Sequence, residues 1–215
     1  MSMHDIDPTM NPQEFWEQRY GTSDRIWSGN ANAVLEKVAA SLPAGRALDL
    51  GSGEGGDVLW LATQGWHATG LELSATAVSR AHEAAQRNGL ADRIEFLITD
   101  LSIWQPSKHY DLVSASFLQS PVALDRAEIL QRATQAVAVG GHLLITAHAA
   151  PPSGVEKDFE RAMFPQPQDD LAALELAPDE WQVITADIWT RQGTHHGNPE
   201  PMTFEDSVVL VKRLA

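Results

Sequence analysis

The sequence predicts an α/β fold: a doubly wound, mostly parallel sheet of seven strands, with helices on both faces and an antiparallel hairpin at the carboxyl end. Three observations predict it. Apolar runs of strand length alternate with segments whose apolar residues recur at helical spacing. A glycine-rich turn, Gly51 to Gly56, joins the first such strand to the helix after it. The last two strand-like runs are joined by RQGTHHGNPEPM, too short for a helical crossover, so they pair antiparallel. Strands joined through helices imply right-handed crossovers with helices on both faces, and ligands bind at the carboxyl ends of such strands.

Taken in order, Asn11 caps a first helix with Pro12 at its first position and Glu14 in capping-box register; that helix carries Phe15, Trp16, Arg19 and Tyr20. A second runs from about Ala31 to Leu42, with Leu35, Val38, Ala39 and Leu42 as its core stripe. Ala47 to Leu50 is a strand, and the Val58, Leu61 and Ala62 stripe marks a helix that Gly65 ends. Ala68 to Leu73 is the next strand, after which Ser74 caps a helix bearing Val78, Ala81 and Ala85, closed by Asn88 and Gly89. Ile94 to Ile98 and Tyr110 to Ala115 are the third and fourth strands. Asp125 and Glu128 form a capping-box pattern before the Ile129, Ala133 and Val137 stripe, with Gly140 and Gly141 expected to end that helix and Leu143 to Ala147 to form the fifth strand. The proline-rich, acidic stretch from Pro151 to Pro178 has one short helical run, Leu171 to Leu176, and reads as a lid or insertion. Trp181 to Trp189 and Phe204 to Lys212 are the hairpin strands.

Length and composition bound the function. At 215 residues the chain fits one domain with a sizeable core. No apolar run approaches the ~20 residues of a membrane span, and MSMHDIDPTM lacks the basic and apolar regions of a signal peptide, so the expected location is the cytoplasm, away from membranes. With no cysteine, disulfides and thiolate chemistry are excluded. A formal net charge of −14 disfavours nucleic acid, which is held mainly by lysine and arginine, and favours a small or uncharged acceptor.

The chemistry concentrates in ALDLGSGEGG, Ala47 to Gly56. Such a turn brings backbone N–H groups and a helix start to a ligand with no Cβ in the way. Gly51, Gly53 and Gly56 satisfy the dinucleotide-binding spacing as well, so the glycines alone are ambiguous. Asp49, two residues before Gly51, tips the reading away from a dinucleotide: a carboxylate there repels a pyrophosphate and complements an ammonium or sulfonium, with a tight strand-to-helix turn that binds no ligand as the other reading.

The stretch from Ala47 to about Ala149 resembles the core of class I, Rossmann-like S-adenosylmethionine-dependent methyltransferases. The resemblance implies S-adenosylmethionine as cofactor, with Asp49, Gly51, Ser52 and Gly53 in its glycine turn. It implies Glu72 on the ribose diol, Asp100 on the adenine amino group, Leu73 and the Leu101 backbone against the ring, and Ser116 and Phe117 beside the methionine end. Glu72 and Asp100 have a second reading, as caps of the adjacent helix and turn. Phe15 to Leu35, FWEQRYGTSDRIWSGNANAVL, is similar to the segment before the core in bacterial tellurite-resistance and thiopurine-type methyltransferases. There it folds over the cofactor, which implies that Trp16, Arg19, Tyr20 and Trp27 cover the methionine end and wall the acceptor pocket; simple packing of Trp16 and Tyr20 into the core is the other reading.

The expected organisation is therefore one methyltransferase domain: a helical cover over 1–42, a cofactor-binding core over 45–150, a lid or insertion over 151–180 and a hairpin over 181–215. Its expected activity is methyl transfer to a small molecule at oxygen, nitrogen, sulfur or a metalloid, with a non-catalytic binding module or a nicotinamide-dependent oxidoreductase as alternatives. Positioning supplies much of the rate of such a transfer, so no catalytic residue is forced. His148, just past the fifth strand, is the candidate base, against a reading as an exposed or helix-capping histidine. His195 and His196 lack carboxylate or cysteine partners and read as surface residues, so no metal site is expected. The acceptor and the oligomeric state are left open.

Overall fold

The structure, a computed structural model, describes residues 7–151, 164–195 and 198–215. Helices α1 (Pro12–Gly21) and α2 (Ala33–Ala39) precede the alternating core of β1 (Arg46–Leu50), α3 (Gly56–Thr63), β2 (His67–Glu72), α4 (Ala75–Arg87), β3 (Ile94–Ile98), β4 (Tyr110–Ser116), α5 (Arg126–Thr134) and β5 (Val137–His148). Helix α6 (Pro167–Ala173) and the hairpin strands β6 (Trp181–His195) and β7 (Asn198–Arg213) complete it. The sheet order is β3-β2-β1-β4-β5-β7-β6, with β1 to β5 parallel and β7 antiparallel to both neighbours. The doubly wound, seven-stranded architecture expected from sequence is the one observed. Its strand order reverses direction between β1 and β4, which puts the crevice for a ligand at the carboxyl ends of those two strands.

Alternation along each strand divides the core into two layers. Ala47, Leu112, Leu144, Val208 and Leu210 face α2, α3 and α4, where they meet Leu35, Val58, Leu61 and Ala81. Leu48, Val113, Leu143, Ile145, Val209 and Val211 face α5 and pack with Ile129, Leu130 and Leu174. Two predicted caps form as expected: Asn11 accepts from the Gln13 and Glu14 N–H groups, and Ser74 accepts from that of Ala77.

Four expectations need correction. Asp125 precedes α5 but makes no side-chain cap. Gly140 and Gly141 do not end that helix, which stops at Thr134; they lie inside β5, where the register against β4 shifts. Gly140 has φ +81°, and a Cβ on Gly141 would stand 2.9 Å from the carbonyl oxygens of Ala138 and Tyr110, so the bulge requires both. The short helix near Leu171 starts earlier, at Pro167, and its Asp170 pairs with Arg126 of α5 while Leu171 and Leu174 join the core. This part of the expected lid is docked; residues 152–163 lie outside the described residues. Finally, most of the polar connection after Trp189 continues the strands, pairing through Gly193 with Met202 and His195 with Asn198.

Candidate functional site

The glycine turn sits at the predicted crevice. Gly51, Gly53 and Gly55 have φ of +72°, +54° and +84°, a left-handed run that β-carbons would strain. Four of its amides are engaged: Gly51 and Ser52 donate to the Leu71 carbonyl, Gly53 to the Glu72 carboxylate at 2.9 Å, and Gly55 to the Ser52 carbonyl. These bonds tie the turn to the end of β2, while the glycines leave bare backbone for a ligand to approach.

Carboxylates surround it. Asp49, 3 % exposed, accepts from the Ser114 hydroxyl at 2.7 Å, and burial followed by the neighbouring charge of Asp57 holds its carboxyl well above the usual range. Asp57, in the first turn of α3, accepts from the Asn32 N–H and side-chain amide; burial outweighs those bonds and raises it too. Glu72, 6 % exposed, accepts from Gly53 and Ser74 N–H groups, with burial again raising its carboxyl. Glu72 is thus buried with two backbone partners: its position at the end of β2 aims it back across the turn. A carboxylate offers about four acceptor directions, and two here are taken.

The adenine-side candidates divide. Asp100 is exposed and its Oδ1 accepts from the Ser102 N–H and hydroxyl, so the turn-capping reading describes one of its oxygens. Leu101 is buried and Leu73 half-buried beside it at the strand ends. At the end of β4 the half-buried Ser116 faces Asp57, whose carboxyl it lowers, while the Ser52 hydroxyl in the glycine turn is buried without a hydrogen bond to a described residue. Phe117 follows with φ +53°, a costly conformation for a bulky residue.

The amino-terminal segment does lie over the turn. A Cβ on Gly53 would meet the Tyr20 hydroxyl at 3.0 Å and the Trp27 indole nitrogen at 3.3 Å, and that indole donates to the Tyr20 oxygen. Glu54 anchors the crossing by accepting from the Ile26 and Trp27 N–H groups and from Arg80. Tyr20 is 2 % exposed, and burial, then the Glu72 charge, push its phenol far up. Tyr20 also packs with Ile26, Ala77 and Trp16, as the packing reading expects. Trp27 is exposed, and Arg19 is half-buried.

His148 closes β5 with its side chain 40 % exposed, as the exposed reading expects, but it is also paired. Its register partner on β7 is Asp206, 1 % exposed, whose Oδ1 stands 3.3 Å from the His148 Nδ1 while Oδ2 accepts from Arg191 Nε at 2.6 Å. The imidazole lies 4.4 Å from the Phe117 ring and 6.2 Å from that of Phe204. Asp206 and Arg191 were not singled out from sequence; the available signal was parity, because Asp206 shares a strand face with Val208 and Leu210. Of the hairpin histidines, His195 is a strand residue and His196 lies outside the described residues.

A family model described as a methyltransferase domain matches residues 15–186. Among curated proteins, a probable thiol methyltransferase 2 of Arabidopsis thaliana is 34 % identical over 101 residues, covering 46 % of this chain and 45 % of that protein. The chain spans a little under half the length of the curated relatives it matches in this group. Among solved structures, one from work on conversion of a disulfide bond into a thioacetal group during echinomycin biosynthesis matches with TM-score 0.69 and 22 % identity, covering 94 % of this chain and 92 % of that one. TehB from Haemophilus influenzae matches with TM-score 0.67 and 15 % identity, over 93 % and 66 %.

Proposed function

The chain belongs to the methyltransferase domain family, and from that premise we propose that it transfers the methyl group of S-adenosylmethionine to a small-molecule acceptor. The observation that carries this reading is the set of carboxylates at the glycine turn, where Asp49, Asp57 and Glu72 stand around the left-handed glycines. That electrostatic setting suits a cationic ligand and opposes a pyrophosphate. The Ser52 hydroxyl at the same crevice is a buried polar group without a partner among the described residues, which a polar ligand would satisfy.

When bound, the cofactor supplies an electrophilic methyl group on a sulfonium. The residues of this chain bind and orient it. Glu72 has acceptor directions left for the ribose hydroxyls, Asp100 keeps Oδ2 for the adenine amino group, and Leu73 and Leu101 bracket the ring. Asp49, Gly51, Ser52 and Gly53 line the methionine end with Ser116 and Phe117, under Tyr20 and Trp27 with Trp16 and Arg19 behind. Exclusion of water by that cover strengthens each electrostatic contact.

The reading includes a cytoplasmic protein that does not act on nucleic acid, supported by the net charge of −14 and the absence of cysteine. Among the described residues no helix is long and apolar enough to cross a membrane. Titration calorimetry with S-adenosylmethionine, S-adenosylhomocysteine, NAD and NADP tests it: the first two should bind and the dinucleotides should not. Tight NAD binding without a response to either methionine-derived ligand would overturn it.

A further inference from the structure

Resting on the methyl-transfer reading, we propose that His148 and Asp206 form a base dyad at an acceptor subsite built by Phe117, Phe204 and Arg191, and that the acceptor is a protonated thiol or hydroxyl on a flat, apolar body. The geometry carries this. Asp206 is a carboxylate buried to 1 % exposure in the middle of a strand, an expensive location unless its oxygens are paired and hydrogen-bonded. Arg191 pairs it at 2.6 Å through Nε, which keeps the negative charge in place. The second oxygen faces His148 Nδ1 at 3.3 Å, which sets the proton of a neutral imidazole on Nδ1 and leaves Nε2 as the acceptor. Nε2 has no hydrogen bond to a described residue, and the His148 side chain is 40 % exposed, so the lone pair is reachable.

The walls set the shape of the acceptor. Phe117 lies 4.4 Å from the imidazole and Phe204 6.2 Å, and the Arg191 guanidinium covers Phe204 at 4.5 Å and Phe117 at 5.7 Å. Phe117 is also the residue whose φ of +53° turns the chain out of β4, the strand that borders the glycine-turn crevice. Strain held at such a point belongs to a site rather than to packing.

In the step, His148 Nε2 takes the proton of the acceptor X–H as the X–CH3 bond forms and the sulfonium S–CH3 bond breaks. The bonding pair stays on sulfur, giving a neutral thioether, and the imidazolium is held against Asp206. His148 is thus the catalytic residue, and Asp206 and Arg191 are positioning residues.

The test uses the full chain with S-adenosylmethionine and four probes: phenylmethanethiol and catechol, both protonated at neutral pH, and thiocyanate and iodide, which have no proton to lose. At least one protic probe should be methylated, with kcat/KM falling on the acid side as the imidazole charges. His148→Gln should lose about 10²–10⁴-fold on that probe and flatten the acid limb, the usual contribution of a positioned base, with cofactor affinity and thermal midpoint retained. In the unmodified protein saturated with S-adenosylhomocysteine, catechol should move the His148 ring resonances. The proposal is overturned if H148Q keeps the rate and pH profile, if neither protic probe is consumed by a protein that binds the cofactor, if thiocyanate or iodide is the better acceptor, or if the His148 resonances stay unmoved. Failure to bind S-adenosylmethionine would instead overturn the underlying reading.

Discussion

The Gly53 N–H donates to the Glu72 carboxylate at 2.9 Å, tying the middle of the glycine turn to the end of β2. The same carboxylate accepts from the Ser74 N–H, where α4 begins. Removing it strands two amides as well as any ribose contact. Glu72→Ala should therefore cost about 1–3 kcal/mol of stability, as a lost buried partner does, and weaken S-adenosylmethionine binding by at least about tenfold, the equivalent of ~1.4 kcal/mol. Chemical denaturation and calorimetry on the one variant read both; an affinity equal to wild type would limit Glu72 to holding the turn.

Asp100 allows the two roles to be separated by a smaller change. Its Oδ1 holds the Ser102 N–H and hydroxyl, an arrangement that asparagine retains with its own oxygen. Asp100→Asn should leave the thermal midpoint unchanged, because the Asx turn survives. It turns the second acceptor into a donor facing an adenine amino group, so affinity for S-adenosylhomocysteine should fall by roughly tenfold, the worth of ~1.4 kcal/mol. Undiminished affinity would leave Asp100 as a turn residue alone.

The order of elements and the glycine turn were legible because they are local: periodicity, caps and left-handed positions are written within a few neighbouring residues. Ser74 and Asn11 illustrate this, each satisfied within three residues. The Gly140–Gly141 pair was misread because glycines after an apolar helical stripe resemble a helix stop, whereas here the ladder with β4 governs and Val137 to Val139 belong to the strand. The Asp206 contacts to His148 and Arg191 were not legible, since they depend on the registers of β5 and β6 against β7, and no residue near any of the three announces the pairing. Asp57 and Asn32, 25 residues apart, were missed for the same reason.

Deleting residues before Ala31 tests the cover. Tyr20 and Trp27 would be lost from Gly53, and Glu54 would keep Arg80 but lose the Ile26 and Trp27 amides. Strands β1 to β5 pair without the segment, so far-ultraviolet circular dichroism should retain the sheet signal while cofactor affinity drops by about tenfold or more, ~1.4 kcal/mol or above. Affinity preserved in the truncated chain would reduce the segment to packing.

Asp49 and Asp57 make the stability depend on pH in an unusual direction. Burial raises both carboxyls above their ordinary values in the fold, and the Asp57 charge adds to the rise at Asp49. A group whose folded value is raised contributes stability that is fully present below its unfolded value and is lost as pH rises through the folded one. The ligand-free protein should therefore lose stability from this pair as pH rises from mildly acidic towards 8. Asp49→Asn removes one member of the pair, while its side-chain oxygen can still accept from Ser114. The variant should have a higher thermal midpoint than wild type at pH 8, by about 2–4 °C for each ~1 kcal/mol recovered in a chain of this size, and the difference should shrink at pH 5. Cofactor affinity at pH 8 should fall in the same variant, because the negative charge that complements a cationic ligand is gone. A midpoint difference that is the same at both pH values would mean that Asp49 does not titrate across this range, and a variant that binds S-adenosylmethionine as tightly as wild type would remove Asp49 from the methionine end of the site.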